Sequence, residues 1–80
     1  MPHAAERAVE RAGFSSVQEA RAALQELGQQ IERSGLPSGT IRDTAHVDRI
    51  IVPGLGRGGA VVYQVKDGVL KLKTVLQWRP

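Results

Sequence analysis

Six side chains in the second half of the chain have the chemical types that act on phosphodiesters: His46, Arg49, Arg57, Lys71, Lys73 and Thr74. A histidine titrates near neutral pH, so His46 could be a base or an acid in phosphodiester cleavage. Lys71 and Lys73 are two residues apart and would point the same way from a strand, where they could bind successive phosphates and stabilise a pentavalent transition state. The plainer alternatives are a surface histidine before a strand and lysines that only solubilise a sheet face.

Arg57 stands at the centre of a glycine-rich stretch, GLGRGG, at residues 54–59. Backbone N–H groups and a guanidinium there could hold a phosphate. Because a strand follows this stretch rather than a helix, it is neither a Walker loop nor a dinucleotide-binding fingerprint. We expect a flexible hairpin connection, with Arg57 as a candidate phosphate contact.

A β-hairpin between residues 60 and 78 is predicted to position the lysines. The dipeptide Asp-Gly between two alternating apolar runs is a strong hairpin signal, and a two-residue turn would pair Val61 with Thr74. Alternation then predicts a core face that carries Val61, Tyr63, Val65, Leu70, Leu72, Thr74, Leu76 and Trp78. The opposite, basic face is predicted to carry Ala60, Val62, Gln64, Lys66, Val69, Lys71, Lys73, Val75, Gln77 and Arg79.

Three residues of the predicted core face also have a functional interpretation. Tyr63 and Trp78 are candidate substrate contacts, although alternation places both in the core. Trp78 lies near the chain end, where its ring could stack on a base. Thr74 is predicted to point inward, and only a bulge or a twist at the strand end would expose its hydroxyl.

Two helices are expected ahead of the strands. Residues 4–12 are good helix formers with a short, weakly apolar stripe. Either Ser15 or Ser16 can close a capping box for a second helix, in which apolar residues recur at spacings of three and four as far as about Ser34.

The remaining strands complete an α+β fold. A short edge strand is possible at residues 41–42, and the β-branched run at 50–52 predicts a strand over 48–52 that ends at Pro53. Two N-terminal helices are therefore predicted to pack on one face of a three- to four-stranded antiparallel β-meander.

Composition and charge limit the function classes. The 80 residues suit a single domain, residues 1–80, and the absence of cysteine excludes disulfides and thiolate sites. Two histidines argue against a zinc site, and no apolar run or signal peptide points to a membrane. Residues 1–36 hold four arginines and five glutamates, whereas residues 37–80 hold seven lysines or arginines and three aspartates. The basic half suits a polyanion-binding surface, or simply a solvated face.

The segment from His46 to Arg79, HVDRIIVPGLGRGGAVVYQVKDGVLKLKTVLQWR, resembles the C-terminal toxin domains of bacterial contact-dependent and type VI effector systems. More specifically, it is similar to the superfamily that groups barnase, EndoU, colicin-type tRNA nucleases and RelE. The resemblance implies a metal-independent ribonuclease in which N-terminal helices precede an antiparallel sheet with an RNA-binding open face.

Carried over to this chain, the resemblance implies that His46 is the general base or acid. Lys71 or Lys73 would be the last-strand cation and Thr74 the last-strand hydroxyl. The inward direction predicted for Thr74 conflicts with that role. Either the strand is irregular there, or Lys73 makes the larger contribution to catalysis. The residues that the resemblance places on substrate phosphates are Arg49 and Arg57.

The implied substrate is RNA, with tRNA expected, and the implied partner is an acidic immunity protein that covers the basic face. Such a domain would belong to a secreted effector and act in the cytoplasm of a target bacterium, with no metal, cofactor or membrane partner. Two other classes stay open. One is a non-catalytic RNA-binding module or an antitoxin- or immunity-type interaction protein, and the other is a small structural protein of a phage or secretion system.

Overall fold

A computed structural model describes residues 3–78 of the chain. Two helices precede four strands: α1 (His3–Ala12), α2 (Val17–Ser34), β1 (Ile41–Arg42), β2 (Arg49–Leu55), β3 (Gly59–Lys66) and β4 (Val69–Gln77). The strands form one antiparallel sheet in the order β1-β2-β3-β4, so the predicted α+β meander is confirmed. The predicted place of Arg79 on the sheet lies outside the described residues.

The ends of α2 are fixed by side-chain and backbone caps. The Ser16 hydroxyl accepts a hydrogen bond from the Glu19 backbone N–H at 3.1 Å, so Ser16 is the N-cap. At the other end Gly35 adopts a φ of 79°, and its N–H donates to the Ile31 carbonyl at 2.8 Å. Both bonds satisfy backbone groups that a helix end otherwise leaves free.

The helix α1 packs through small side chains. Ala12, at its C-terminal end, lies so close to Gly59 of β3 that a Cβ on the glycine would overlap the alanine Cβ. Small residues let a helix backbone approach a strand closely, which explains how a weakly apolar sequence can bury one whole side. The residues that α1 buries are all alanines: Ala4, Ala5, Ala8 and Ala12.

Both helices lie on the same side of the sheet. The core between them and the sheet contains Ala20 and Leu24 of α2 and the strand residues Ile50, Val52, Leu55, Val61, Tyr63 and Val75. We call this side the helix face. The opposite side, which neither helix covers, we call the open face. Strand pairing assigns to it Ile41, Arg49, Ile51, Pro53, Ala60, Val62, Gln64, Lys66, Val69, Lys71, Thr74 and Leu76.

A bulge in β4 changes the pairing of its second half. Leu72 pairs with Tyr63 as predicted, but Thr74 pairs with Val62, so Lys73 is the extra residue between two paired positions. One extra residue reverses the alternation of every side chain that follows it. The predicted pairing of Val61 with Thr74 is therefore wrong.

The bulge moves side chains between the two faces. Val75, predicted for the basic face, is fully buried in the helix-face core. Thr74 and Leu76, predicted for the core, fall on the open face, and the alternation that placed Trp78 in the core is broken. Leu72 keeps its predicted face but is 45% exposed, because the core does not extend over the edge of the sheet there.

The strand β2 continues past Pro53 to Leu55, so the prediction that the proline ends it is wrong. Because β1 pairs only with residues 50 and 51, β2 is an edge strand at Pro53, where a missing N–H is tolerated. A second register shift, between Pro53 and Leu55, returns Leu55 to the helix-face core.

Candidate nucleic-acid interface

A row of three polar side chains crosses the open face near one end of the sheet. Arg49 of β2 pairs with Gln64 of β3, and Gln64 pairs with Lys71 of β4. Neighbouring strands lie about 4.8 Å apart, so the backbones of the two cationic residues are separated by roughly 10 Å. We call this arrangement the Arg49–Gln64–Lys71 row.

Asp48 holds the glutamine at the centre of the row. Gln64 Nε2 donates a hydrogen bond to Asp48 Oδ2 at 2.6 Å, and the Val65 N–H donates to the Asp48 carbonyl at 2.7 Å. The side-chain bond from Gln64 is the main reason that the pKa of Asp48 is lowered, against a smaller opposing effect of desolvation. The side chain of Gln64 is therefore directed towards Asp48, the residue that precedes Arg49.

His46 lies in the loop between β1 and β2, at the same end of the sheet as the row. Its Nδ1 is 3.5 Å from Asp43 Oδ2, and half of its side chain is exposed. The Ala45 N–H donates to Asp43 Oδ1 at 2.8 Å and is the main cause of the lowered pKa of Asp43, to which His46 adds a smaller effect. The carboxylate lies on the Nδ1 side of the ring, and Nε2 is on the opposite side.

The backbone ties His46 to the row. Its carbonyl accepts a hydrogen bond from the Arg49 N–H at 2.9 Å, so the histidine lies one turn ahead of the first residue of β2. Arg49 has an i, i+3 relation to His46, and Asp43 lies three residues before it. The loop thus carries a histidine–aspartate pair to the end of the sheet at which the row lies.

Two polar atoms on the open face are buried and have no hydrogen-bond partner among the described residues. They are Thr74 Oγ1 and Arg49 Nε. A buried polar atom without a partner costs about 1–3 kcal/mol, so native proteins contain few of them. The bulge does bring Thr74 to the open face, the condition under which a functional hydroxyl was expected, but its oxygen lies below the surface rather than on it.

The rest of the open face is more apolar than the sequence predicts. Ala60 is fully buried and Val62 is 5% exposed, although no helix covers them. They lie among the half-buried side chains of Ile51, Pro53 and Leu76. The predicted basic face is therefore an apolar strip with the polar row along one end.

Three of the candidate residues lie away from the row. Arg57 is in the turn between β2 and β3, and the Trp78 N–H donates to the Gly58 carbonyl beside it at 2.7 Å. That end of β3 is five residues from Gln64, or roughly 17 Å. Tyr63 is on the helix face, where its burial raises its pKa, and it lines a cleft of ≈ 400 Å³ between α2 and the hairpin.

The glycine-rich turn serves to dock α1. The Arg57 N–H donates to the Ala12 carbonyl at 2.7 Å, and a Cβ on Gly56 would lie 2.5 Å from that same carbonyl oxygen. The Arg57 side chain packs on Gly13, where a Cβ would lie 3.2 Å from the arginine Cβ. The backbone donor that a phosphate would need is thus already bonded, and the turn is anchored rather than a free connection.

Sequence reasoning gave no role to Gln64, Asp48 or Asp43. The pairing of Gln64 opposite Lys71 follows from the hairpin turn and could have been used. The partnership of Asp43 with His46 has only its i, i+3 spacing as a signal. Nothing in the sequence indicates that Asp48 would bond across to β3.

Within residues 3–78, no three His, Cys, Asp or Glu side chains come together in a way that could hold a metal ion. The same part of the chain contains no helix with the length and apolar character that a membrane span needs. A scan against protein-family models and searches of curated proteins and of solved structures found no match.

Proposed function

We propose that the chain is a metal-independent ribonuclease that binds RNA on its open face and cleaves it beside His46. The observation that carries the proposal is the Arg49–Gln64–Lys71 row, which places two cations on an uncovered sheet face at the end where the histidine–aspartate pair lies. Cations in such a place bind phosphates, and a histidine with one free ring nitrogen transfers protons.

The proposed reaction is an intramolecular transesterification. His46 Nε2 takes the proton of a ribose 2′-OH, the 2′-oxygen attacks the adjacent phosphorus, and the bond from phosphorus to the 5′-oxygen breaks. Arg49 and Lys71 stabilise the charge that develops on the non-bridging oxygens. Lys73, the extra residue of the bulge and two positions after Lys71 in the chain, is the candidate acid that protonates the leaving 5′-oxygen. The products are a 2′,3′-cyclic phosphate and a 5′-hydroxyl.

The two buried polar atoms without partners support a role in binding an anion. Thr74 Oγ1 and Arg49 Nε both lie on the open face and have unused hydrogen-bonding capacity among residues 3–78. A phosphate oxygen is an acceptor that could use either group after a small side-chain rotation. We therefore assign Thr74 a substrate-binding role and not a proton-transfer role.

The biological setting proposed is interbacterial competition. It rests on the resemblance of residues 46–79 to effector toxin domains and on the excess of positive charge in residues 37–80. A secreted toxin that cleaves tRNA in a target cell would need an immunity protein in its producer. An acidic protein that covers the row would neutralise it.

The test is cleavage of bacterial RNA by the purified protein, with the new 5′-hydroxyl ends mapped by sequencing. His46→Ala should lower the rate by about 10²–10⁴-fold, the usual contribution of a general base or acid, with RNA affinity little changed. His3→Ala, which removes the other histidine from α1, is the matched control and should cleave normally. Normal cleavage by the His46 variant, or no cleavage by folded wild-type protein, would contradict the proposal.

A non-catalytic RNA-binding module is the second candidate. The observation that favours it is the apolar strip beside the row, since unstacked bases pack on apolar sheet surfaces while cations hold the backbone. Such a module would bind RNA with wild-type affinity and produce no new ends, and His46→Ala would leave no activity to lose. A structural protein of a phage or secretion system would instead show neither binding nor toxicity.

A further inference from the structure

The outer edge of β4 has backbone groups that no strand of the sheet uses. β4 is the last strand in the order, so one of its edges is free. Residues of an antiparallel strand alternately bond to their partner and direct N–H and C=O away from it. Val69 adjoins the two-residue turn and bonds to β3, so Leu70 and Leu72 direct their backbone groups outward.

Arg11 supports this assignment independently. Its Nη1 donates a hydrogen bond to the Val75 carbonyl at 2.9 Å, from α1 and not from β3. The backbone groups of Val75 therefore point outward from β4. This agrees with outward groups at Leu70 and Leu72, because the extra residue Lys73 shifts the alternation by one position. Among residues 3–78, this is the one hydrogen bond that reaches the outer edge, so the edge from Val69 to Lys73 is open.

The side chains of this open edge are both apolar and basic. Leu72 is 45% exposed and Val69 is 55% exposed, which makes them two of the six large apolar residues that are exposed among residues 3–78. Lys71 and Lys73 alternate with them and are also exposed. An edge strand with exposed apolar side chains is a template for another strand.

The charges decide which strand can be added. A second copy of β4, in the antiparallel register that pairs Leu70 of one copy with Leu72 of the other, would place Lys71 opposite Lys71, and like charges directly across a ladder destabilise it. An added strand could instead place acidic side chains opposite Lys71 and Lys73 and apolar ones opposite Leu70 and Leu72. Each of these cross-strand pairs would stabilise the added strand. We propose that the edge from Val69 to Lys73 accepts such an acidic–apolar segment of a partner protein as a fifth strand of the sheet.

This inference does not depend on RNA cleavage. It concerns the backbone edge of β4, although Lys71 also belongs to the Arg49–Gln64–Lys71 row, and its ligand is an extended polypeptide. The proposed ribonuclease could fail its test while the edge still bound a strand, and the reverse is equally possible.

The probe is a seven-residue peptide that alternates valine and glutamate, compared with its valine–lysine counterpart. We expect the glutamate peptide to slow amide hydrogen exchange at Leu70 and Leu72, with little change at Gln64 and none at Leu24. Leu72→Pro removes an outward N–H without breaking a bond to β3, and it should weaken binding by about tenfold or more. Circular dichroism would establish that this variant is folded.

Reversal of charge provides a test that does not need the proline variant. The double variant Lys71→Glu and Lys73→Glu should bind the lysine peptide in preference to the glutamate peptide. Equal binding of both peptides to the wild-type protein would overturn the proposal. The proposal would also be overturned if the glutamate peptide slowed exchange at amides of β2 or β3 instead of at Leu70 and Leu72. Failure of the glutamate peptide to bind at all would overturn it too.

Discussion

Thr74 and Val62 are paired on the open face, one residue out of step with the alternation that the hairpin turn establishes. The extra residue is Lys73, and its presence turns Val75 into the core while leaving Thr74 and Leu76 outside. The bulge therefore joins a lysine-bearing half of β4 to a core-forming half. It also places Lys73 and Thr74 side by side near the polar row.

Deletion of Lys73 should leave the fold intact. Leu72 would remain opposite Tyr63 and Thr74 opposite Val62, so the deletion converts the bulge into a regular ladder without moving any core residue. We expect the free energy of unfolding to fall by about 1 kcal/mol or less. Urea denaturation measures this.

Deletion of Val62 is the contrasting case. The central strand β3 has no extra residue, so this deletion would turn Val61 towards the open face against both neighbouring strands. The loss should exceed about 3 kcal/mol, or the protein should fail to fold. Similar stabilities of the two deletion variants would show that the bulge is not at Lys73.

Gly59→Ala should destabilise the contact of α1 with the sheet. The added Cβ would overlap Ala12 and would lie 2.8 Å from the Leu55 carbonyl oxygen. We expect a loss of about 1–3 kcal/mol, as for other overpacked sites. Gly28→Ala is the matched control, because a Cβ within α2 meets nothing within 4 Å and should stabilise the helix by about 1 kcal/mol.

The pH dependence at the acid end should report on the bond between Gln64 and Asp48. The pKa of Asp48 is lowered from 3.8, so its carboxylate favours the folded state above that value and loses the contribution as the pH falls through the lower folded-state pKa. NMR titration of Gln64→Ala should show the Asp48 pKa return towards 3.8. The pKa of Asp43 is lowered chiefly by the Ala45 N–H and should not move.

The alkaline end should report on Tyr63, the single tyrosine of the chain. Burial raises its pKa from 10.0, so the folded state disfavours the phenolate and stability falls as the pH rises above that value. Tyr63→Phe should be less sensitive to alkali than the wild type in thermal unfolding. An ultraviolet titration that shows an ordinary tyrosine pKa would contradict the burial of this ring.

Salt dependence should locate the nucleic-acid surface. If Lys71 neutralises one phosphate, Lys71→Gln lowers the slope of log affinity against log salt for single-stranded RNA by about 0.7. Arg33→Gln removes the same charge from the end of α2 and should leave the slope unchanged. Equal effects would mean that net charge, and not the row, determines binding.

The sequence predicts the elements well because their signals are local. The Asp-Gly turn, the caps at Ser16 and Gly35 and the β-branched run of β2 are each decided by a few neighbouring residues. The two register shifts are not local in this sense. The alternating pattern alone does not predict a bulge at Lys73. The bulge is favoured because it buries Val75 in place of Thr74, and this advantage depends on where α1 packs on the sheet.

The candidate site is predictable to a smaller extent. The lysines and His46 are chemically conspicuous, and the hairpin register brings Lys71 beside Gln64. Arg57 and Trp78 lie at the far end of the sheet, where the turn between β2 and β3 packs against the C-terminal end of α1. This packing depends on contacts between residues more than forty positions apart, such as Ala12 with Arg57, and the sequence offers no signal for such contacts.

The contact between Ala12 and Arg57 also has a consequence for the order of folding. The helix α1 emerges from the ribosome before the strands that it contacts. The Arg57 N–H that caps it, Gly59 of β3 against which Ala12 packs, and the Val75 carbonyl to which Arg11 donates all lie beyond residue 56. An isolated ten-residue helix is marginal in water. Helix α1 therefore acquires its native contacts only after the later strands have been synthesised, and a nascent chain stalled before residue 59 would lack the contacts that stabilise it.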